Sequence, residues 1–241
     1  IGMIIETLQL FQDHPPVVQN AIRAAYSACR HVNQNTYRFL DKGGAGCILN
    51  TMALLSGNAT VCQVGYRAMR MFCGRNEEGS LALDENAVYE LIGVMCDNSE
   101  DCDDQPLTVA EICATLEFVG SDERYCEPVI ESGLVPVLVK ALEENKDHSS
   151  VQSNGMNAFH TLASVGGDEV RSRCIVDGAV YATLQGMSSH TESLEVNQAG
   201  ARALCTFGQD LATAQNIISS GGSKLVLESL AKFPEDKILG S

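Results

Sequence analysis

Apolar residues recur along this 241-residue chain at intervals of three and four, the spacing of one face of an α-helix. No alternating apolar and polar run of useful length occurs, so no strand is expected. Five segments line up with one another: VVQNAIRAAYSAC from Val17, VCQVGYRAMRMFC from Val61, LTVAEICATLEFV from Leu107, VQSNGMNAFHTLA from Val151 and VNQAGARALCTFG from Val196. Their starts lie 44, 46, 44 and 45 residues apart. Counting each first residue as one, the fifth position is Ala21, Gly65, Glu111, Gly155 and Gly200, and the eighth is Ala24, Ala68, Ala114, Ala158 and Ala203. The twelfth is Ala28, Phe72, Phe118, Leu162 and Phe207. Small residues at five and eight, with larger apolar ones at nine and twelve, form one helical stripe that a neighbouring helix can approach closely. A glycine inside a helix costs about 1 kcal/mol relative to alanine, so three at one position predict a close contact there.

A second set of amphipathic segments precedes these: 4–11, 44–55, 85–96, 133–142, 178–187 and 222–233, several opening at a glycine. A short third set ends just before that glycine, at 36–41, 126–132, 173–177 and 214–219. Each unit therefore predicts a short helix, a glycine turn, a middle helix, a loop and a long third helix. Internal periods of this length are the mark of stacked repeats, in which neighbours bury an apolar face that no single unit can bury alone.

Two stretches carry a specific resemblance. Ile130-Glu131-Ser132-Gly133-Leu134-Val135-Pro136-Val137-Leu138-Val139 with Val151, Gln152 and Ala158 resembles an armadillo repeat, and so does Ile175-Val176-Asp177-Gly178-Ala179-Val180 with Val196, Gly200, Ala203 and Leu204. The resemblance implies an all-α fold, a right-handed superhelical solenoid of armadillo repeats with three helices each, whose third helices line a concave groove. It implies one solenoid over the whole chain: a partial repeat 1–31, repeats 32–74, 75–120, 121–165 and 166–209, and a partial repeat 210–241. Three of five histidines (His14, His148 and His190) fall between middle and third helices, as in a subclass of the family with a histidine ending the middle helix. The chain starts in a middle helix and stops just after one, at Ile1 rather than Met and without the basic flank of a signal peptide. It therefore reads as a piece of a longer protein, with ends expected to self-associate or to pack against further repeats or domains.

The groove stripe carries the functional expectation. Positions three, seven, ten, eleven and fourteen of each third helix face away from the small-residue stripe. Family members that bind extended peptides often carry Trp at seven and Asn at eleven. Here position seven is Arg23, Arg67, Cys113, Asn157 and Arg202, and the chain has no Trp, so binding of nuclear-localisation signals is not implied. The 25 stripe positions hold five Arg and one acid, against roughly two bases and three acids expected at the overall composition. The candidate partner-binding residues are Gln19, Arg23, Tyr26, Arg30, Gln63, Arg67, Arg70, Asn157, His160 and Arg202. This resembles the basic groove of members that take acidic extended ligands, and arginine's planar fork suits carboxylates.

Composition sharpens the picture by exclusion. The net charge is -15, with 31 acids against 16 bases, which argues against nucleic acid or an anionic membrane as partner of the general surface. No stretch approaches the roughly 18 apolar residues of a membrane span. Ten Cys include no C-x-x-C pair and sit mostly in helical patterns, so reduced thiols in the cytosol or nucleus are expected. The Asn58-Ala59-Thr60 sequon would matter only in a secreted chain. No nucleotide loop, zinc spacing or HExxH is present. Gly43-Gly44-Ala45-Gly46 resembles a helix-joining turn that recurs in the family, and the acidic run 97–104 reads as a solvated loop without the glycine and final Glu of a calcium site. His160 and Cys205 share a register, but a nucleophile pair would need direct contact and a third orienting group. The sequence thus predicts a non-enzymatic interaction scaffold without cofactor or metal, binding an extended acidic or phosphorylated protein segment. The alternative is a regulatory or assembly domain of a larger multidomain polypeptide, whether that polypeptide is catalytic or not.

Overall fold

Among the described residues, a glycine in the left-handed region sets four joints between a short helix and the middle helix that follows. In the computed structural model Gly43, Gly133, Gly178 and Gly221 have φ of 74°, 76°, 98° and 86° and stand immediately before a helix. Any Cβ is strained there, so the recurring glycine is a backbone requirement. The structure describes residues 1–74, 83–100 and 105–236. Residues 75–82, which open one of the predicted repeats, lie outside the described residues, as do Cys102, the second half of the acidic run and 237–241.

Among the described residues there are fifteen α-helices and no strand. The chain divides into two compact units, Ile1–Asp122 and Glu123–Ser241. In the first unit lie α1 (Gly2–Leu10), α2 (Pro15–Cys29), α3 (Asn33–Asp41), α4 (Gly44–Leu54), α5 (Ala59–Phe72), α6 (Glu85–Glu100) and α7 (Pro106–Val119). Here α3, α4 and α5 are a complete short–middle–third triplet. In the second unit α8 (Glu123–Glu131), α9 (Leu134–Glu144) and α10 (Ser149–Val165) form one triplet, and α11 (Gly167–Val176), α12 (Ala179–Ser189) and α13 (Leu194–Phe207) another. Then come α14 (Leu211–Ser219) and α15 (Gly222–Lys232). The third helices start where their caps say they should. Asn58 and Ser193 accept from the amides of Val61 and Val196, and Pro15 and Pro106 open α2 and α7, where a missing N–H costs nothing.

Packing within a triplet follows the small-residue stripe. A Cβ on Gly65 would lie 2.3 Å from Met52 Sδ, one on Gly155 2.6 Å from Leu142 Cδ1, and one on Gly200 2.4 Å from Met187 Cγ. In each of these three triplets the middle helix thus drives one apolar knob into a hole on its third helix. In the triplet's counterpart formed by α6 and α7 the hole position is Glu111 and the corresponding middle-helix residue is Asn98; both are buried polar groups. Asn98 donates to the Tyr66 hydroxyl at 2.8 Å, while its Oδ1 is buried without a hydrogen-bond partner. Gly155→Ala should therefore destabilise by about 1–3 kcal/mol, overpacking outweighing the gain in helix propensity. Gly93→Ala, in the exposed interior of α6 with nothing within 4 Å of the added carbon, should stabilise by up to about 1 kcal/mol. Paired urea titrations would check the opposite signs.

Three expectations need correction. The acidic run does not begin as a solvated loop: α6 continues to Glu100, and Asn98 and Ser99 are buried, Ser99 hydrogen-bonding to Met95 O. Phe118 and Ala24 do not join the core stripe; Phe118 is 43% exposed and Ala24 is also exposed. On α7 the residues expected to face outward, Val109, Cys113 and Leu116, are instead fully buried. The cause is composition: α7 is apolar on nearly every face, so its burial is not confined to one stripe.

Candidate functional site

Two adjacent third helices of the first unit, α2 and α5, build one cleft of about 430 Å³. Arg23, Tyr26, Ser27 and Arg30 line it from α2, and Val64 and Arg67 from α5. Positions 23, 26, 27 and 30 share a face because three- and four-residue steps return to the same side of a helix. No acid lines the cleft. Each of its three guanidiniums is held by a neighbour. With the Gln19 amide turned so that its oxygen faces Arg23, that oxygen accepts from the two Nη groups at 2.7 and 3.3 Å. Arg30 lies over the Tyr26 ring, 5.8 Å from its centroid, a cation–π arrangement. Arg67 donates through Nε to Glu111 Oε1 at 2.8 Å.

Glu111 is the residue that stripe reasoning missed. Its side chain is 11% exposed and also takes Arg70 Nη2 at 2.6 Å from Oε2. That second approach is a charge contact without hydrogen-bond alignment, and Oε2 has no hydrogen bond. Two of the four clustered arginines therefore share one buried carboxylate, and Arg70 is drawn out of the cleft lining. The signal was in the alignment: Glu111 is the one charged residue at a position otherwise held by Ala or Gly. Gln63 points the same way along the chain, donating to Thr108 Oγ1 at 3.3 Å. Among the described residues neither Arg23 nor Arg30 has an acidic partner.

The remaining predicted residues lie together in the second unit. Arg202 donates to Asn157 Oδ1 at 3.0 Å, joining position seven of α10 and α13. His160 Nδ1 sits 2.7 Å from Thr206 Oγ1. Thr206 gives its only hydroxyl proton to Arg202 O at 3.1 Å, so the network assigns the imidazole proton to Nδ1. Burial, followed by the nearby Arg202 charge, holds the His160 pKa below its usual value, so the ring is neutral at pH 7. Cys205 is exposed, and no hydrogen bond joins it to His160 among the described residues. A histidine with a lowered folded-state pKa stabilises the fold above its unfolded pKa of about 6.5. Stability should therefore fall as pH drops below that value and on through the folded pKa, and His160→Gln should flatten the fall in urea titrations run across pH 5–8.

His190 donates through Nε2–H to Lys146 O, 2.7 Å away, and ties the ends of successive middle helices together. The repeat period thus reappears in the polar contacts, whose partners stand 44, 44, 45 and 46 residues apart at His190, Arg67, Arg202 and His160. A different cleft in the second unit, about 300 Å³ between α8 and α11, is lined by Glu123, Glu127, Glu131 and Glu169 with Arg173. Among the described residues no three His, Cys, Asp or Glu side chains gather as a metal site would need, and no helix is long and apolar enough to cross a membrane.

No family model matches the sequence. The chain is 22% identical over 221 residues to "Armadillo repeat-containing protein 6" of Pongo abelii and 21% identical to the protein of the same name from Homo sapiens. Each alignment covers 85% of this chain and 44% of the relative, so the chain spans less than half the length of the proteins it matches. In its helix triplets, in their period and in sequence across most of its length, this chain is similar to the armadillo-repeat proteins.

Proposed function

We propose that the chain is a protein-interaction module, without catalytic activity of its own, that receives an extended acidic or phosphorylated partner segment on the third-helix face of its first unit. The observation that carries this reading is a cleft lined by Arg23, Arg30 and Arg67 and by no acid, in a chain whose net charge is -15. Local charge of that sign selects partners by complementarity and accelerates their arrival, more so at low salt. Likeness to armadillo-repeat proteins supports a scaffold role in general terms.

The choice of variant matters. Arg67→Glu would set a second carboxylate against Glu111 and confound binding with stability. Arg23→Glu with Arg30→Glu leaves that ion triad intact, since both side chains are exposed. Affinity capture with the wild-type chain and with this double variant should show acidic partners lost from the variant, with unchanged circular dichroism. Capture of the same proteins by both would refute the cleft as the binding site.

A further inference from the structure

The nature of the anion follows from how the three guanidiniums share the cleft. A carboxylate has two oxygens and one charge, and one planar fork satisfies it. A phosphomonoester has three terminal oxygens and a charge of about -1.5 to -2 at pH 7. Arg23 and Arg30 stand two helical turns apart, about 10 Å along α2, and Arg67 enters the same cleft from α5. The Ser27 hydroxyl adds a neutral donor, and Tyr26 and Val64 supply an apolar wall. Arg67 is already paired with Glu111, so the uncompensated charge of the cleft is that of Arg23 and Arg30, which Gln19 and Tyr26 hold before any ligand arrives; two such cations exceed what a lone carboxylate can neutralise. Preorganised arginines lose little further freedom on binding.

Resting on the reading above, we propose that this cleft binds a phosphorylated side chain on a partner protein segment, in preference to Asp or Glu. A protein segment is favoured over a lipid headgroup or nucleic acid by charge. A net charge of -15 repels an extended polyanionic surface, whereas one phosphate on a flexible segment meets only the local basic cleft. The apolar wall of Tyr26 and Val64 also offers contact to the side chain that carries the phosphate.

The test uses the full chain and three pools of fluorescent nonapeptides, degenerate except for a central phosphoserine, Glu or Ser. At pH 7.5 anisotropy should show the phosphoserine pool bound at least about ten-fold tighter than the Glu pool, as a second charge and a third acceptor predict. Lowering the pH to 5.5 should weaken the phosphoserine pool about four-fold, because the phosphate's second proton returns near pH 6 while arginine does not titrate. Arg30→Gln should erase the preference, and Arg30→Lys, which keeps charge but loses the fork, should restore part of it. If the phosphoserine and Glu pools bind equally and both need Arg23 and Arg30, the phosphate inference is wrong and the acidic-segment reading stands. If no pool binds, both fail. Vesicles containing phosphoinositide are a further arm, and tighter binding to them than to the phosphoserine pool would overturn a protein segment as the source.

Discussion

Phe39→Ala should lower the stability of the first unit by about 3–5 kcal/mol, the range for deleting a buried aromatic. Phe39 is fully buried and is the one buried residue of α3. Its ring stacks on Phe72 with centroids 5.1 Å apart and planes 16° from parallel, an arrangement worth a further fraction of a kcal/mol beyond area. The ring also fills the space over Gly44, where an added Cβ would lie 2.5 Å from it. One side chain thus anchors the short helix to both the middle and the third helix of its triplet. A domain of ordinary stability, about 5–15 kcal/mol, would lose about a fifth of it or more. Urea titration should show the midpoint fall with a similar slope, and Phe39→Leu should cost distinctly less. A loss under about 1 kcal/mol would mean that α3 is held by something other than this contact.

Glu111→Ala should cost the second-largest amount, about 2–4 kcal/mol. Removing one partner of a fully buried ion pair costs about 3–5 kcal/mol because the other charge is stranded. The lower figure here reflects Arg67, which is 64% exposed and can turn to water, whereas Arg70 is 22% exposed and cannot do so freely. Glu111→Gln keeps an acceptor for Arg67 Nε and should retain part of the stability. Glu111→Leu with Arg70→Met, which removes charge from both sides, should recover most of what Glu111→Ala loses, since apolar replacement of a buried pair is often neutral. With Glu111→Leu and Arg70→Met also measured singly, the set forms a double-mutant cycle by urea titration. A cycle that closes additively would show that Glu111 and Arg70 do not depend on each other.

How far the sequence reached can be judged residue by residue. The period was legible because a glycine or alanine must stand wherever Met52, Leu142 or Met187 presses on a third helix, and because a left-handed joint tolerates little but glycine. Arg23, Tyr26, Arg30 and Arg67 were placed on a common face by counting helical turns alone, and the structure brings those four into one cleft. Counting could not show that Arg70 leaves that cleft for Glu111, since an ion pair between residues 41 apart depends on the packing distance of two helices. It equally missed that His160 takes Thr206 rather than any partner in its own register. Local periodicity records which side of a helix a residue occupies. It carries no information on which residue of the next helix stands opposite, and that choice is where the chemistry of the cleft is settled.

The buried thiols give the molecule a set of built-in gauges. Burial pushes Cys73, Cys113 and Cys174 up to about 12, so at neutral pH almost none is thiolate and alkylating reagents find no nucleophile in the closed state. Labelling then proceeds only through opening, and its rate reports the free energy of the opening that exposes each sulfur. Cys73 follows the end of α5, Cys113 lies within α7 and Cys174 within α11, so cooperativity along the repeats can be mapped from one sample by mass spectrometry. Cys205, already exposed, reacts throughout and supplies the internal clock.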